Sequence, residues 1–254
     1  MANDFVLKIG MTTQQVMQNI GNMNATDKTK QLIINFCNND YDKKITNEIE
    51  LAMLDSWSKG SEKIKMPTAE GMKEYKWPHL DEENKNTKYY RAGNRELSFR
   101  TDENGLSCAA YNWRVNNPNE KIYTDVLNDS NSDGYADDRI LNEHNRINEN
   151  HDILTSYSDY DLDGVFDAKF VDETINGNNS DTYRETIVDL STNNVTINIE
   201  TKNQSIKNKN GTYTFIEVVT NFLTGKIIKN TGHWNPQTGE STDTTTVEQL
   251  KKTP

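Results

Sequence analysis

Two segments of this chain repeat one acidic pattern. Asp129-Ser130-Asn131-Ser132-Asp133-Gly134-Tyr135-Ala136-Asp137 and Asp159-Tyr160-Asp161-Leu162-Asp163-Gly164-Val165-Phe166-Asp167 both read D-x-[DN]-x-D-G-x-x-D, and they begin thirty residues apart. Side-chain oxygens at positions 1, 3 and 5 converge only if the backbone turns sharply around a common point. Position 6 must then adopt an unusual backbone angle, which glycine tolerates. Position 7 presents its carbonyl, here that of Tyr135 or Val165, and position 9 adds Asp137 or Asp167. Convergent oxygens of this kind suit Ca2+, a hard cation that takes six to eight oxygen ligands at about 2.3–2.6 Å. Mg2+ demands a tighter octahedron and keeps more of its waters. The absence of soft ligands in the pattern argues against zinc and copper. Asx-rich turns on an acidic chain are the plainer alternative. Two matches, each with Gly at position 6 and Asp at position 9, weigh against it. The expected ligands are therefore Asp129, Asn131, Asp133, Tyr135 and Asp137, and Asp159, Asp161, Asp163, Val165 and Asp167.

These nine-residue stretches resemble the DxDxDG calcium loops of the EF-hand superfamily in its wide sense, which includes dockerins and thrombospondin type 3 repeats. The resemblance covers the loops and not the chain. Position 12 departs from it, since Ile140 and Phe170 stand where an EF-hand places a bidentate Glu. The residues that follow, Arg139-Ile140-Leu141 and Lys169-Phe170-Val171, read as strand. In that respect the loops are similar to those between strands of integrin-type propeller blades, although 254 residues are too few for seven blades.

The first sixty residues read as three short helices. Thr12 and Gln15 form a capping box before Val16, Met17 and Ile20, and Gly21 ends the run. Thr26 or Asp27 caps a second helix bearing Leu32, Ile33, Ile34 and Phe36. Asn47 and Glu50 form a second capping box before Ile49, Leu51, Met53, Leu54 and Trp57, and Gly60 ends the third helix. Between the second and third helices, Asn38, Asp40, Asp42 and Thr46 occupy loop positions 1, 3, 5 and 9. Lys43 replaces the glycine, which makes this a degenerate EF-hand-like loop and a weaker candidate metal site. Ile9-Gly10-Met11-Thr12 with Val16 and Gly21 is also similar, over a dozen residues, to the start of small outer-membrane-assembly lipoproteins; a generic strand–cap–helix entry accounts for it.

From Lys88 onward, runs such as Glu96-Leu97-Ser98-Phe99-Arg100 and Val195-Thr196-Ile197-Asn198-Ile199 alternate with Asn, Asp and Gly clusters, the punctuation of hairpins. The expected fold is α+β: a helical EF-hand-like module over 1–62, a charged connector over 63–87, an antiparallel β-hairpin meander over 88–235 with the two calcium loops, and a loose tail over 236–254.

Composition narrows the function classes. A formal charge of −11 disfavours binding to a phosphate backbone. No apolar run approaches a membrane span, and the opening residues lack the marks of a signal peptide. Cys37 and Cys108 are too few and too far apart for a disulfide scaffold or zinc cluster, and read as buried thiols. The histidines His79, His144, His151 and His233 lack metalloprotease spacing, and there is no GxSxG, P-loop or GxGxxG. The expectation is a non-enzymatic protein whose cofactor is Ca2+. The alternatives are a carbohydrate- or protein-binding surface module using Trp77, Tyr111, Trp113 and Trp234, and a cytosolic calcium sensor. Open calcium loops favour a secreted or cell-surface home; the displayed N-terminus, taken as native, favours the cytoplasm.

Overall fold

The computed structural model describes residues 5–76, 86–112 and 122–250. His79, Trp77 and Trp113 lie outside them. The protein is mainly β. Among the described residues, thirteen strands form an antiparallel sheet in which spatial order follows chain order: β1 (Lys73–Tyr75), β2 (Thr87–Ala92), β3 (Arg95–Asp102), β4 (Gly105–Asn112), β5 (Ile122–Asp129), β6 (Asp138–Asn148), β7 (His151–Asp159), β8 (Ala168–Asn176), β9 (Ser180–Asp189), β10 (Asn194–Lys207), β11 (Tyr213–Asn221), β12 (Lys226–Trp234) and β13 (Ser241–Gln249). The helices among the described residues are short: α1 (Thr13–Gln18), α2 (Asp27–Asn39) and α3 (Glu48–Ser58), with one 3-10 turn at Ile20–Asn22.

The α+β expectation with a separate EF-hand module is therefore corrected. The helices form where the caps placed them. Thr12 accepts from the Gln15 amide and Gln15 returns the bond to Thr12. Thr26 caps α2, and Asn47 caps α3 by accepting from the Ile49 and Glu50 amides. They do not make a self-contained module, because three short helices expose too much apolar surface to fold alone. Val16, Ile33, Phe36, Met53, Leu54 and Trp57 share one core with Leu97 of β3, Cys108 and Ala110 of β4 and Leu127 of β5.

The chain divides into two compact units. Unit 1 holds residues 1–143 and 157–167; unit 2 holds 144–156 and 168–254, so the division passes through β6 and β7. Both cysteines are free and buried in unit 1, and burial pushes the Cys37 thiol up to about 12.

Unit 2 is built differently. Its described elements are all strands, and only Thr155 and Ala168 in it are buried. Long in-register pairings hold it, such as Ile199↔Asn221 through Lys207↔Tyr213 between β10 and β11. The stretch expected as a loose tail carries β13, paired with β12 from Ser241↔Trp234 to Gln249↔Lys226. Its run of threonines suits a pleated strand although it has no alternating apolar pattern to announce one. Polar and charged side-chain pairs link β7, β8, β9 and β10. His151 Nε2 meets Glu173 at 2.7 Å, Glu173 meets Arg184 at 2.7 Å, Arg184 meets Glu200 at 2.9 Å, and Glu200 meets Lys202 at 2.7 Å. Hydrogen bonds from Arg184 hold the Glu173 carboxyl below its usual range, and those from Lys202 and Arg184 do the same for Glu200.

A carboxylate held low in the folded state stabilises above its unfolded pKa, and that stability is lost as pH falls through the folded pKa. Unit 2 is accordingly expected to unfold more readily as pH drops below about 4, and high salt should weaken it at neutral pH. Hydrogen exchange of β8–β10 amides at pH 3 and pH 6 checks this. Glu173→Gln should remove part of the difference there, with Glu200 carrying the rest, and equal pH sensitivity in that variant would refute the assignment.

Candidate metal centre

The two acidic segments are the turns from β5 into β6 and from β7 into β8, and both lie in unit 1. Their hydrogen bonds correspond position by position. At position 1, Asp129 accepts from the Asp133 amide at 3.1 Å and the Gly134 amide at 2.8 Å; Asp159 accepts from Asp163 at 3.1 Å and Gly164 at 3.0 Å. At position 3, Asn131 and Asp161 each accept from the position-5 amide, at 2.9 and 3.2 Å. At position 5, Asp133 and Asp163 accept from Tyr135 and Val165, at 2.9 and 2.8 Å. At position 9, Asp137 and Asp167 each accept from the amide of position 2 at 2.8 Å. Each loop closes with the amide of position 9 donating to the residue before position 1: Asp137 to Asn128 and Asp167 to Ser158, both 2.7 Å.

The backbone explains why these residue types recur. Gly134 and Gly164 sit at φ +88° and +82°, and Ser132 and Leu162 at φ +59° and +57°. Four left-handed residues in two short turns bend each chain around its own carboxylates. Gly164 carries a second constraint. A Cβ there would lie 2.8 Å from the Phe36 nitrogen and 3.2 Å from the Leu32 carbonyl oxygen, whereas Gly134 faces open space. The second loop is thus pressed against the α2 backbone, and Asn35 Nδ2 donates to the Asp163 carbonyl at 3.2 Å. The first loop rests on 64–66: Met66 N donates to Gly134 O and Ala136 N to Ile64 O.

Asp159, Asp161 and Asp167 bring one carboxylate oxygen each within 4.8 Å of one another. The first loop has Asn131 in place of Asp161 and presents no such triad. Asp129 and Asp159 are fully buried, while Asp137 and Asp161 are exposed. Burial pushes the Asp159 carboxyl up to about 7, against the pull of the Gly164 amide and the Arg139 charge.

Arg139 is the one buried cation among the described residues. Its Nε and Nη2 grip Asp125 at 2.7 and 2.6 Å, and it lies 5.3 Å from the Phe36 ring centre and 5.6 Å from that of Phe166. Sequence reading placed Arg139 in a strand but missed this role. A lone basic residue directly after an acidic turn was the available signal.

The weaker loop is rearranged. Asn38 is exposed and Lys43 Nζ donates to its carbonyl. Thr46 turns its hydroxyl to Glu50, at 2.9 Å. Asp40 and Asp42 do converge, but with Glu50, which leaves the expected capping box to accept from the Thr46 amide. Of the expected set, Asp40 and Asp42 are brought together, while Asn38 is exposed and Thr46 bonds Glu50.

The three described histidines take polar contacts with neighbours: His144 with Asp152, His151 with Glu173 and His233 with Thr214. No helix among the described residues is long and apolar enough to cross a membrane. Comparison with protein-family models, curated proteins and solved structures found no match to this chain.

Substitutions at the two glycines and at Arg139 test this geometry. Gly134→Ala should cost about 1 kcal/mol, the ordinary penalty for a left-handed non-glycine residue. Gly164→Ala should cost a further 1–3 kcal/mol or so from overpacking against α2. Equal losses in chemical denaturation would contradict the contact. Arg139→Met should cost roughly 3–5 kcal/mol by leaving Asp125 buried and unpaired, and adding Asp125→Leu should recover a substantial part.

Proposed function

We propose that this chain is a calcium-binding protein in which ions held by the turns after β5 and β7 lock the strand ends into unit 1, in a non-enzymatic, structural role. The observation that carries the reading is the shared hydrogen-bond scheme of the two loops. Loop amides tie both oxygens of each position-1 carboxylate and one oxygen of each position-3 and position-5 side chain, which fixes these groups toward the inside of the turn. An oxygen held in this way has lone pairs left for a cation. The side chains at positions 1, 3, 5 and 9 and the position-7 carbonyl of Tyr135 or Val165 then supply up to five protein ligands, and water completes the shell. Three carboxylates within 4.8 Å at Asp159, Asp161 and Asp167 repel one another until a cation neutralises them, so binding free energy becomes folding free energy.

A second reading, a glycan- or protein-binding surface, has one supporting feature. Tyr213 stands 6.3 Å from Phe215 and 5.5 Å from Trp234, ring centre to ring centre, and Phe215 and Trp234 are exposed. In that reading calcium only holds the turns of unit 1.

At free Ca2+ a hundredfold above Kd, one site should stabilise by about 2.7 kcal/mol, which raises the melting temperature of a unit this size by roughly 5–10 °C. Asp161→Asn with Asp167→Asn should abolish the second loop's share while leaving the metal-free melting temperature nearly unchanged. An identical calcium shift in that double variant would remove the second loop from the proposal. Retention of the chain on an immobilised glycan, lost on Trp234→Ala, would favour the second reading.

A further inference from the structure

Between α2 and α3 lies a separate acidic cluster. Asp40 is the C-cap of α2, Glu50 lies in the first turn of α3, and Asp42 sits on the loop between them. One carboxylate oxygen from each lies within 4.8 Å of the other two. Oxygens on opposite sides of a Ca2+ ion are about 4.6–5.2 Å apart, so the three can share one ion.

A cluster of acids alone would prove little, but two of its members are buried without full satisfaction. Asp40 is 6% exposed, and its carboxylate oxygens meet no side-chain donor; the Lys44 backbone amide and the charge of Arg139 pull on the group. Glu50 is 0% exposed, and its Oε1 has no hydrogen-bond partner. Its Oε2 is fixed by the Thr46 amide and hydroxyl, at 2.6 and 2.9 Å, which leaves Oε1 as the oxygen with free capacity. The nearest cation is already engaged: Arg139 holds Asp125 in a two-pronged pair and reaches Glu50 Oε1 only at 4.0 Å. A buried carboxylate without a partner costs several kcal/mol. Beside Asp40, Arg139 and Gly164 lies a small cavity lined also by Phe36, Tyr41 and Phe166.

The lysines of the loop do not fill this role. Lys43 and Lys44 are exposed, and Lys43 Nζ bonds the Asn38 carbonyl at 2.9 Å. The loop is also held in shape before any ligand arrives. Ile45 N donates to Met11 O at 2.8 Å, Gly10 N to Ile45 O at 2.7 Å, and Thr13 N to Lys43 O at 3.0 Å. A site set on clamped elements loses little entropy when it binds.

We infer that Asp40, Asp42 and Glu50 form a cation site for a hard divalent ion of the Ca2+ class, distinct from the two aspartate loops. The inference does not rest on the reading of those loops. The ion joins the end of α2 to the start of α3. Tyr41 stacks on Tyr123 at 4.0 Å, and its hydroxyl lies 3.3 Å from Thr46 Oγ1, the same atom that bonds Glu50. Occupancy at Glu50 is therefore reported by a tyrosine pair.

The test is calcium binding by the full, metal-stripped chain, measured by calorimetry and near-ultraviolet circular dichroism, with Mg2+ as a second probe. Asp42→Asn is half-exposed and Glu50→Gln keeps both Thr46 bonds, so both variants retain the fold. Each is expected to bind one ion fewer than the parent, or to bind that ion at least tenfold more weakly, and to lose the metal-dependent tyrosine signal. Asp161→Asn with Asp167→Asn should remove a different ion and leave that signal intact. If Asp42→Asn alone removes binding, the loop proposal fails and this one stands. Unchanged stoichiometry, affinity and tyrosine signal in both Asp42→Asn and Glu50→Gln would overturn the inference; so would a parent chain that binds neither Ca2+ nor Mg2+.

Discussion

The arrangement of unit 1 depends on one buried guanidinium. Arg139 neutralises Asp125 directly and faces Glu50 from 4.0 Å. Its planar face meets Phe36 of α2 on one side and Phe166 of the second loop on another. A guanidinium suits this place because it is weakly hydrated, flat and offers donors in a fixed fork. A lysine ammonium could not pair with a carboxylate and stack on rings in the same way. Through this residue α2, α3, β5, β6 and the second loop share a single electrostatic balance, and that balance is one of deficit. Asp40, Glu50, Asp125, Asp129 and Asp159 are all buried against one buried cation.

Much of this was legible from residues with strong local chemistry. Thr12, Thr26 and Asn47 are caps whose side chains compete for backbone amides wherever they stand, so the helix starts followed from sequence. The Asp loops were legible because glycine at position 6 and oxygens at alternate positions have few other uses. What escaped depended on partners distant in sequence. Glu50 was read as a box residue for Asn47; its carboxylate instead accepts from Thr46 and lies close to Asp40 and Asp42, which follow the other helix in the chain. The merging of helices and strands into one core could not be read either, because Leu97, Cys108 and Leu127 look like any strand interior until a helix covers them. The strand at Ser241–Gln249 lacks an apolar rhythm because neither of its faces is buried, and pattern reading relies on that rhythm.

The lean composition, 33% hydrophobic, also finds its reason here. The apolar residues are not diluted evenly. Unit 1 concentrates them around Trp57 and Phe36, whose rings meet edge-on at 6.2 Å. Unit 2 depends instead on backbone pairing, cross-strand side-chain contacts and the charge series from His151 to Lys202. The two halves of the chain solve the same problem of chain entropy with different interactions.

The absence of a buried centre in unit 2 has a consequence for its length. Where a core exists, every element answers to every other, and removing one opens a cavity for all. A sheet whose strands meet only their immediate neighbours behaves as a linear array, with stability close to a sum over adjacent pairs. Such an array has no preferred number of strands. A hairpin added beyond β13, or one removed from that end, alters a single junction. The size of unit 2 is thus a free variable for evolution in a way that the size of unit 1 is not.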